Sequence, residues 1–165
     1  MKRIGILSDT HGEFDDKLYD FFKDVDEIWH AGDIGTIEIA DKLAEFKPLR
    51  AVYGNCDGMD IRSEYPKFLR FKIEELDVFL IHIGGYPGRY DFSVREYLQN
   101  NPPDLFVCGH SHILKVINDK KLNLLHINPG ATGNRGIHKV KTLIRFKIEG
   151  KRMFDLEILE IPRKQ

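Results

Sequence analysis

Short apolar runs alternate with helical periodicity through the first third of the chain. Residues 4–7, 28–29 and 49–53 have the apolar character of buried strands. Between them, apolar residues recur at helical spacing over 18–25, and Thr36 is suited to cap a helix that continues to Phe46. This β-α-β-α-β order favours parallel strands, because a strand that follows a helical crossover runs in the same direction as the strand before it.

The second half of the chain is dominated by strand patterns. Segments 68–73 and 78–81 are expected to form a hairpin through Glu74-Glu75, and Ser93 begins a capping-box pattern for a helix that ends before Pro102. Further strands are predicted at 105–108, 113–117, 122–127, 142–148 and 154–161. Two sheets packed face to face, with helices outside, accommodate both halves. No linker or repeat divides the chain, so one domain over 1–165 is expected.

Polar residues of the types that bind metal ions stand beside several of these strand-like runs. They are Asp9-Thr10-His11, Gly32-Asp33, Gly54-Asn55-Cys56-Asp57, His82 and Gly109-His110-Ser111-His112. Taken singly, each has an ordinary alternative as a turn residue or a structural histidine, and His30 is assigned to such a structural role. Taken together, at successive strand ends, they predict a site for two divalent metal ions.

The spacing within two of these clusters suggests how the ligands are presented. On an extended backbone, side chains two residues apart point to the same side, so Asp9 with His11 and His110 with His112 would each face one ion. The set contains two carboxylates, Asp9 and Asp33, against two dications. The pair would therefore stay electropositive and attract an anionic ester such as a phosphate.

Charge, apolar segments and cysteine content indicate which substrate class and which cellular location to expect. Lys and Arg number 25 against 26 Asp and Glu, a net charge of −1, so strong binding to nucleic acid is not expected and a small substrate is favoured. No segment approaches the roughly 20 apolar residues that span a membrane, and 4–7 is too short for a signal-peptide core. Cys56 and Cys108 form no disulfide framework, which favours the cytoplasm.

The ordered series D-x-H, G-D, G-N, H and G-H-x-H resembles the calcineurin-like metallophosphoesterase superfamily. Gly54-Asn55-Cys56-Asp57 and Asn128-Pro129-Gly130 resemble its short bacterial and archaeal phosphodiesterase branch. The resemblance implies a four-layer α/β/β/α sandwich of two mixed sheets. It also implies that Asp9, His11, Asp33 and His112 surround one ion, while Asp33, Asn55, His82 and His110 surround the other.

This resemblance further implies hydrolysis of phosphodiesters, with monoesters as additional candidates. A hydroxide held between the two ions would attack phosphorus. Mixed nitrogen and oxygen ligands suit several ions, of which Mn²⁺ is favoured and Fe²⁺, Zn²⁺ and Ni²⁺ are alternatives.

The chain departs from the wider family pattern at two positions. Cys56 stands where many relatives have a histidine that assists the leaving group, and a thiol is a poor proton donor, so the donor is unidentified and leaving groups that need little protonation are favoured. Ile83 interrupts the common His-Gly-His pattern after His82. Nearby, Arg89 and Tyr90 are candidates to bind phosphate and to stack on the substrate, and Arg135 is a candidate anion contact; plain loops are the alternative.

Two rival functions share these motifs. The first is a non-catalytic scaffold for protein interactions, similar to the small subunit of the retromer coat, in which metal ligands have been altered. The second is a nuclease, which the absence of a basic excess disfavours. The intact set of ligand residues favours an enzyme. Exposed-looking strands near the C-terminus make a homodimer an open expectation.

Overall fold

Strands outnumber helices in the computed structural model, which describes residues 1–163. In chain order the elements are β1 (Lys2–Leu7), α1 (Lys17–Phe21), β2 (Glu27–His30), α2 (Ile37–Phe46), β3 (Leu49–Ala51), α3 (Met59–Arg62), β4 (Phe68–Ile73), β5 (Leu76–Ile81), β6 (Gly85–Tyr86), β7 (Arg89–Tyr90), α4 (Arg95–Asn100), β8 (Leu105–Val107), β9 (Leu114–Asp119), β10 (Leu124–Pro129), β11 (Val140–Glu149) and β12 (Arg152–Pro162). No helix in this part of the chain is long and apolar enough to cross a bilayer.

Two five-stranded sheets are built from these strands. The first has the order β12-β11-β1-β2-β3. In it β1, β2 and β3 are parallel to one another, β11 is antiparallel to β1, and β12 is antiparallel to β11. The second has the order β4-β5-β8-β10-β9, in which β5, β8 and β10 are parallel and the edge strands are antiparallel. Both sheets are therefore mixed, and the parallel pairing expected for the β-α-β-α-β beginning is confirmed.

The apolar residues form three clusters that separate four layers. Ile4 and Trp29 of the first sheet meet Val78 and Val107 of the second sheet between the two sheets. On the outer face of the first sheet, α2 contributes to a second cluster, and on the outer face of the second sheet α4 contributes to a third. This α/β/β/α arrangement confirms the predicted fold class.

Three local expectations need correction. The hydroxyl of Ser93 donates to the Asp91 carboxylate instead of capping a helix, and α4 begins at Arg95. The single turn α3 was not expected. Residues 85–90 form a two-stranded ribbon, β6–β7, rather than an irregular loop, because Gly88 supplies the left-handed φ of +84° needed at the tight turn.

Candidate metal centre

The predicted ligand residues meet where the two sheets present the carboxyl ends of their parallel strands. Asp9 and His11 follow β1, Asp33 follows β2 and Asn55 follows β3 of the first sheet; His82 follows β5 and the histidines of Gly109-His110-Ser111-His112 follow β8 of the second. In open α/β sheets this edge is where ligands bind, since loops there converge without blocking one another. All seven predicted ligand side chains are therefore contributed to one region by five different strand ends.

Asp9, His11 and His112 form the first half of the centre. Asp9 Oδ1 lies 3.2 Å from His112 Nε2 and 3.7 Å from His11 Nε2. The candidate ligand atoms of these three residues all lie within 4.8 Å of one another. That separation allows one ion to contact all three.

Asp33 lies between this half and the other one. Its Oδ2 is 3.5 Å from His11 Nε2 and 3.2 Å from His82 Nε2. Asp33, His82 and His110 form a second compact group of ligand atoms, and Asn55 Oδ1 lies 3.1 Å from His110 Nδ1. A carboxylate can contact two ions at once because it has two oxygens, so the position of Asp33 suits a shared ligand.

Three buried atoms of this cluster lack any hydrogen-bond partner. They are Asp9 Oδ1, His11 Nε2 and His82 Nε2. A buried polar atom without a partner costs about 1–3 kcal/mol, and three of them aimed at one volume are not explained by protein contacts. A carboxylate with imidazole nitrogens is a suitable donor set for a divalent metal ion, so these residues fit the ions that the sequence predicted.

Hydrogen bonds to the opposite sides of these groups orient the unpartnered atoms inward. His82 Nδ1–H donates to the Ala31 carbonyl at 2.7 Å, which leaves the Nε2 lone pair free. Asp9 Oδ2 accepts from the Ser8 hydroxyl at 2.6 Å and from the His110 backbone N–H at 3.1 Å. The backbone N–H of Cys56 donates to Asp33 Oδ1 at 2.8 Å, which leaves Oδ2 toward the histidines.

Both carboxylates are held in the ionised form that metal binding requires. Burial raises the pKa of Asp9, but the nearby His11 and His112 imidazoles outweigh burial and hold its pKa far below the usual value. Burial opposes ionisation at Asp33 as well, and contact with His82 together with the Cys56 N–H lowers its pKa overall.

Asp57 connects two of the ligand loops. Its buried carboxylate accepts the backbone N–H groups of Ile34 at 3.1 Å, Gly35 at 2.9 Å and Gly54 at 2.8 Å. Gly54 must lack a side chain, because a Cβ there would collide with the Asp33 carboxylate. The loop that carries Asn55 is thereby fixed against the loop that carries Asp33.

The backbone at the ligands differs from the extended conformation that the spacing argument assumed. Asp9, His11, Asp33, His110 and His112 all have positive φ, between 46° and 73°. The extended-strand expectation for Asp9-x-His11 and His110-x-His112 is therefore wrong, although the side chains do converge. Left-handed residues turn the chain sharply just past the strand end, and Asp and His tolerate this conformation better than most residues.

His30 has the structural role that the sequence favoured. It is fully buried, its Nδ1 accepts the Gly32 N–H at 3.1 Å, and its Nε2 lies 2.9 Å from the Thr10 hydroxyl, which donates onward to the Ile34 carbonyl. Burial lowers the pKa of His30 to about 4, so the ring is neutral and satisfied by protein contacts.

The residues predicted to contact the substrate lie outside the group of ligand side chains, and Cys56 lies next to that group. Tyr90 is 8% exposed and its hydroxyl donates to Asp119 at 2.6 Å. The expectation that its ring stacks on substrate is therefore wrong, because the ring is buried. Arg89 and Arg135 are exposed, and the Arg135 charge acts on the Cys56 thiol. Burial and the charge of Asp33 raise the pKa of Cys56, whose Sγ lies within 4.8 Å of ligand atoms of His11 and Asp33.

A cleft of about 330 Å³ opens beside Asn55 and His82 and contains two cationic residues that sequence reasoning missed. Arg62 lies on α3 and Lys67 precedes β4. Neither residue belongs to a recognisable motif. Arg62 could have been suspected only because it lies seven residues after Asn55 in the sequence.

Comparison with known proteins shows the family of the chain. The model of the calcineurin-like phosphoesterase superfamily domain matches residues 1–151. The chain is 32% identical, over 94% of its length and 91% of the relative, to a probable metallophosphoesterase of Methanothermobacter thermautotrophicus.

Solved structures share the fold at lower sequence identity. An archaeal phosphodiesterase superposes with a TM-score of 0.72 at 24% identity, covering 96% of this chain and 99% of that one. Zinc-bound Vps29 from Entamoeba histolytica has a TM-score of 0.74 at 16% identity, covering 97% and 98%. On the family match and the archaeal relative, the chain belongs to the calcineurin-like phosphoesterase superfamily.

Proposed function

We propose that the protein is a metal-dependent phosphoesterase that hydrolyses phosphodiesters of small molecules, with monoesters as secondary substrates. The observation that carries this proposal is the set of three buried ligand atoms, on Asp9, His11 and His82, that no protein group satisfies. One ion would be held by Asp9, His11, Asp33 and His112. The other would be held by Asp33, Asn55, His82 and His110.

The chemistry of this ligand set suits an anionic substrate. Two divalent ions, when bound, would supply a nucleophilic hydroxide and neutralise charge on the phosphoryl oxygens. Asn55 and the histidines contribute no negative charge. Two divalent ions would therefore be balanced only by the carboxylates of Asp9 and Asp33, and the loaded site would stay electropositive. Mn²⁺ is our first choice for both positions because of the family resemblance, and the mixed nitrogen and oxygen ligands suit Fe²⁺, Zn²⁺ and Ni²⁺ as well.

Small substrates are favoured over long nucleic acid. The formal net charge of −1 gives the chain no overall basic excess for binding a phosphate backbone. Arg89 and Arg135 remain proposed anion contacts, Arg135 with the added support that its charge reaches Cys56. A cytoplasmic location also stays a prediction.

The test uses protein stripped of metal and reconstituted with Mn²⁺. We expect hydrolysis of bis(p-nitrophenyl) phosphate to exceed that of p-nitrophenyl phosphate. Asp33→Asn should lower the diesterase activity by at least about 100-fold, because it removes the shared carboxylate. Asp41→Asn, on the exposed face of α2, is the matched control and should retain full activity.

A protein-interaction scaffold is the second candidate, favoured by the likeness to Vps29. That likeness is at low sequence identity and concerns the fold. If neither Mn²⁺, Fe²⁺, Zn²⁺ nor Ni²⁺ restores hydrolysis of either ester, the phosphoesterase proposal fails and the scaffold takes its place.

A further inference from the structure

The cleft beside the metal centre is continuous with the second group of ligands. Asn55 and His82 line both. A substituent attached to a phosphate at the centre would therefore enter this cleft directly. Its volume of about 330 Å³ is sufficient for a group of the size of a nucleoside.

The cleft carries two cations that no carboxylate neutralises. Arg62 donates from Nε to the Asp57 carbonyl at 2.7 Å and from Nη2 to the Asn55 carbonyl at 3.3 Å. These acceptors are neutral carbonyl groups, so neither of them is a counter-ion to the guanidinium. Lys67 is exposed and forms no ion pair within 4.0 Å among residues 1–163.

Asp91 is the negative residue in the cleft lining, and its charge is partly engaged. Its Oδ2 accepts the Ser93 N–H at 3.0 Å and the Ser93 hydroxyl. The cleft thus has two positive charges against one negative charge. Since ions at the metal centre would neutralise the reacting phosphate, the cations of the cleft suit a second anionic group on the same substrate.

The rest of the cleft suits a flat organic group. Tyr53, Ile81 and Ile83 form an apolar part of its wall. Past Lys67, the surface continues into a groove of about 220 Å³ lined by Phe68 and Phe79. The Phe68 ring is 51% exposed and stacks on Phe79 at 5.9 Å with an angle of 13° between the planes, which leaves its outer face free for another ring.

We propose that this cleft is a specificity site for the organic substituent of the ester, and that it selects a substituent with a flat ring and a second phosphate. Lys67 binds the second phosphate, and the positive charge of Arg62 adds to the attraction of that phosphate. This inference rests on the proposed phosphoesterase activity, which it makes more specific. It assigns the cleft to the substrate and not to a separate ligand.

A matched pair of esters tests the proposal. Both are p-nitrophenyl esters of thymidine 5′-phosphate, and only one carries an additional 3′-phosphate, so the leaving group and the ring are the same. We expect kcat/KM to be at least about fivefold higher for the ester with the 3′-phosphate, as an ion pair with Lys67 would give. Lys67→Met should bring this ratio close to one, while Lys42→Met on the exposed face of α2 should leave it unchanged.

Direct binding separates failure of this proposal from failure of the proposed function. Calorimetric titration of the metal-free protein with thymidine 3′-phosphate, which carries only the phosphate that the cleft would bind, should show binding that Lys67→Met weakens and Lys42→Met does not. If that binding is found but no metal supports hydrolysis, the cleft is supported and the phosphoesterase proposal fails. If both esters are hydrolysed equally well, or Lys67→Met leaves their ratio unchanged, the specificity site is overturned while the phosphoesterase proposal stands.

Discussion

Five residues of the metal centre hold the backbone in the left-handed region, where L-residues pay about 1–2 kcal/mol. They are Asp9, His11, Asp33, His110 and His112. The ligand-bearing loops therefore store strain that the rest of the fold must offset. The residue types at the centre were predictable from the sequence because metal chemistry requires them. Their backbone conformation was not, since D-x-H on paper fits an extended strand equally well.

His110 allows this strain to be measured, because its side chain is exposed and its φ is 73°. In metal-free protein, we expect His110→Gly to be more stable than His110→Ala by about 1 kcal/mol. Elsewhere in a chain alanine is normally the more stable of the two. Urea unfolding in the presence of a chelator gives the comparison. Equal stability, or an advantage for alanine, would show that the backbone there is unstrained.

The Asp57 carboxylate should contribute strongly to stability, because it joins two loops of the site. Asp57→Ala leaves three backbone N–H groups, on Ile34, Gly35 and Gly54, without their acceptor. We expect the free energy of unfolding to fall by at least about 3 kcal/mol, since three hydrogen bonds to a charged group are lost and each contributes about 1.5–3 kcal/mol. Asp41→Ala is the exposed control. A change smaller than about 1 kcal/mol would show that water replaces the carboxylate.

Among the elements, the long ones were predictable and the short ones were not. β1, α2 and the hairpin of β4 and β5 are long enough for their apolar residues to show the pattern of a strand or a helix. α3 and the ribbon β6–β7 are too short to show a period, and tertiary contacts fix them. The capping box at Ser93 failed because the Asp91 carboxylate, two residues earlier, accepts the hydroxyl instead. Arg62 and Lys67 were missed for the same reason, since neither lies in a patterned segment.

Strand β10 buries a titratable group without any hydrogen-bond partner. His126 is fully buried, neither ring nitrogen has a partner, and its ring lies 5.7 Å from that of Phe106. Burial first, and then the charge of Lys115, lowers its pKa to about 4, against the opposing effect of Asp119. The folded protein therefore holds His126 neutral well below the pH at which the unfolded chain protonates it.

This difference predicts a specific acid sensitivity of β10. The contribution is complete above the unfolded pKa of about 6.5 and is lost as the pH falls toward about 4. His126→Leu, of similar volume, removes the titrating group. Between about pH 7 and about pH 4.5, the wild type should lose about 2 kcal/mol more stability than this variant. Denaturant unfolding of both metal-free proteins measures the difference, and parallel pH profiles would contradict the prediction.

At the level of the whole molecule, one edge of the first sheet is formed by β12. Charged side chains such as Glu157 and Asp155 stand on this strand, and its pairing with β11 shifts register between Arg145 and Lys147. Charges and irregular pairing reduce the tendency of an edge strand to pair with another chain. The homodimer stays a prediction, as does a single domain over 1–165, and sedimentation of the full chain measures the oligomeric state.

The proposed metal centre contains residues from both sheets, so metal binding should stabilise the whole molecule and not one loop. Asp9, Asp33 and Asn55 follow strands of the first sheet, whereas His82 and His110 follow strands of the second. An unfolded chain cannot hold these groups together, so Mn²⁺ should bind the folded state selectively. At 100 times its dissociation constant, each bound ion should raise the free energy of unfolding by about 2.7 kcal/mol.

Thermal unfolding over a series of Mn²⁺ concentrations measures this linkage. The transition should stay single and move upward with the metal concentration, because separation of the sheets breaks both halves of the centre. Asp33→Asn should abolish most of the shift, and Asp41→Asn should preserve it. An equal shift in the Asp33→Asn protein would place the stabilising ion elsewhere, whereas a transition that splits as metal is added would show that the two sheets unfold separately.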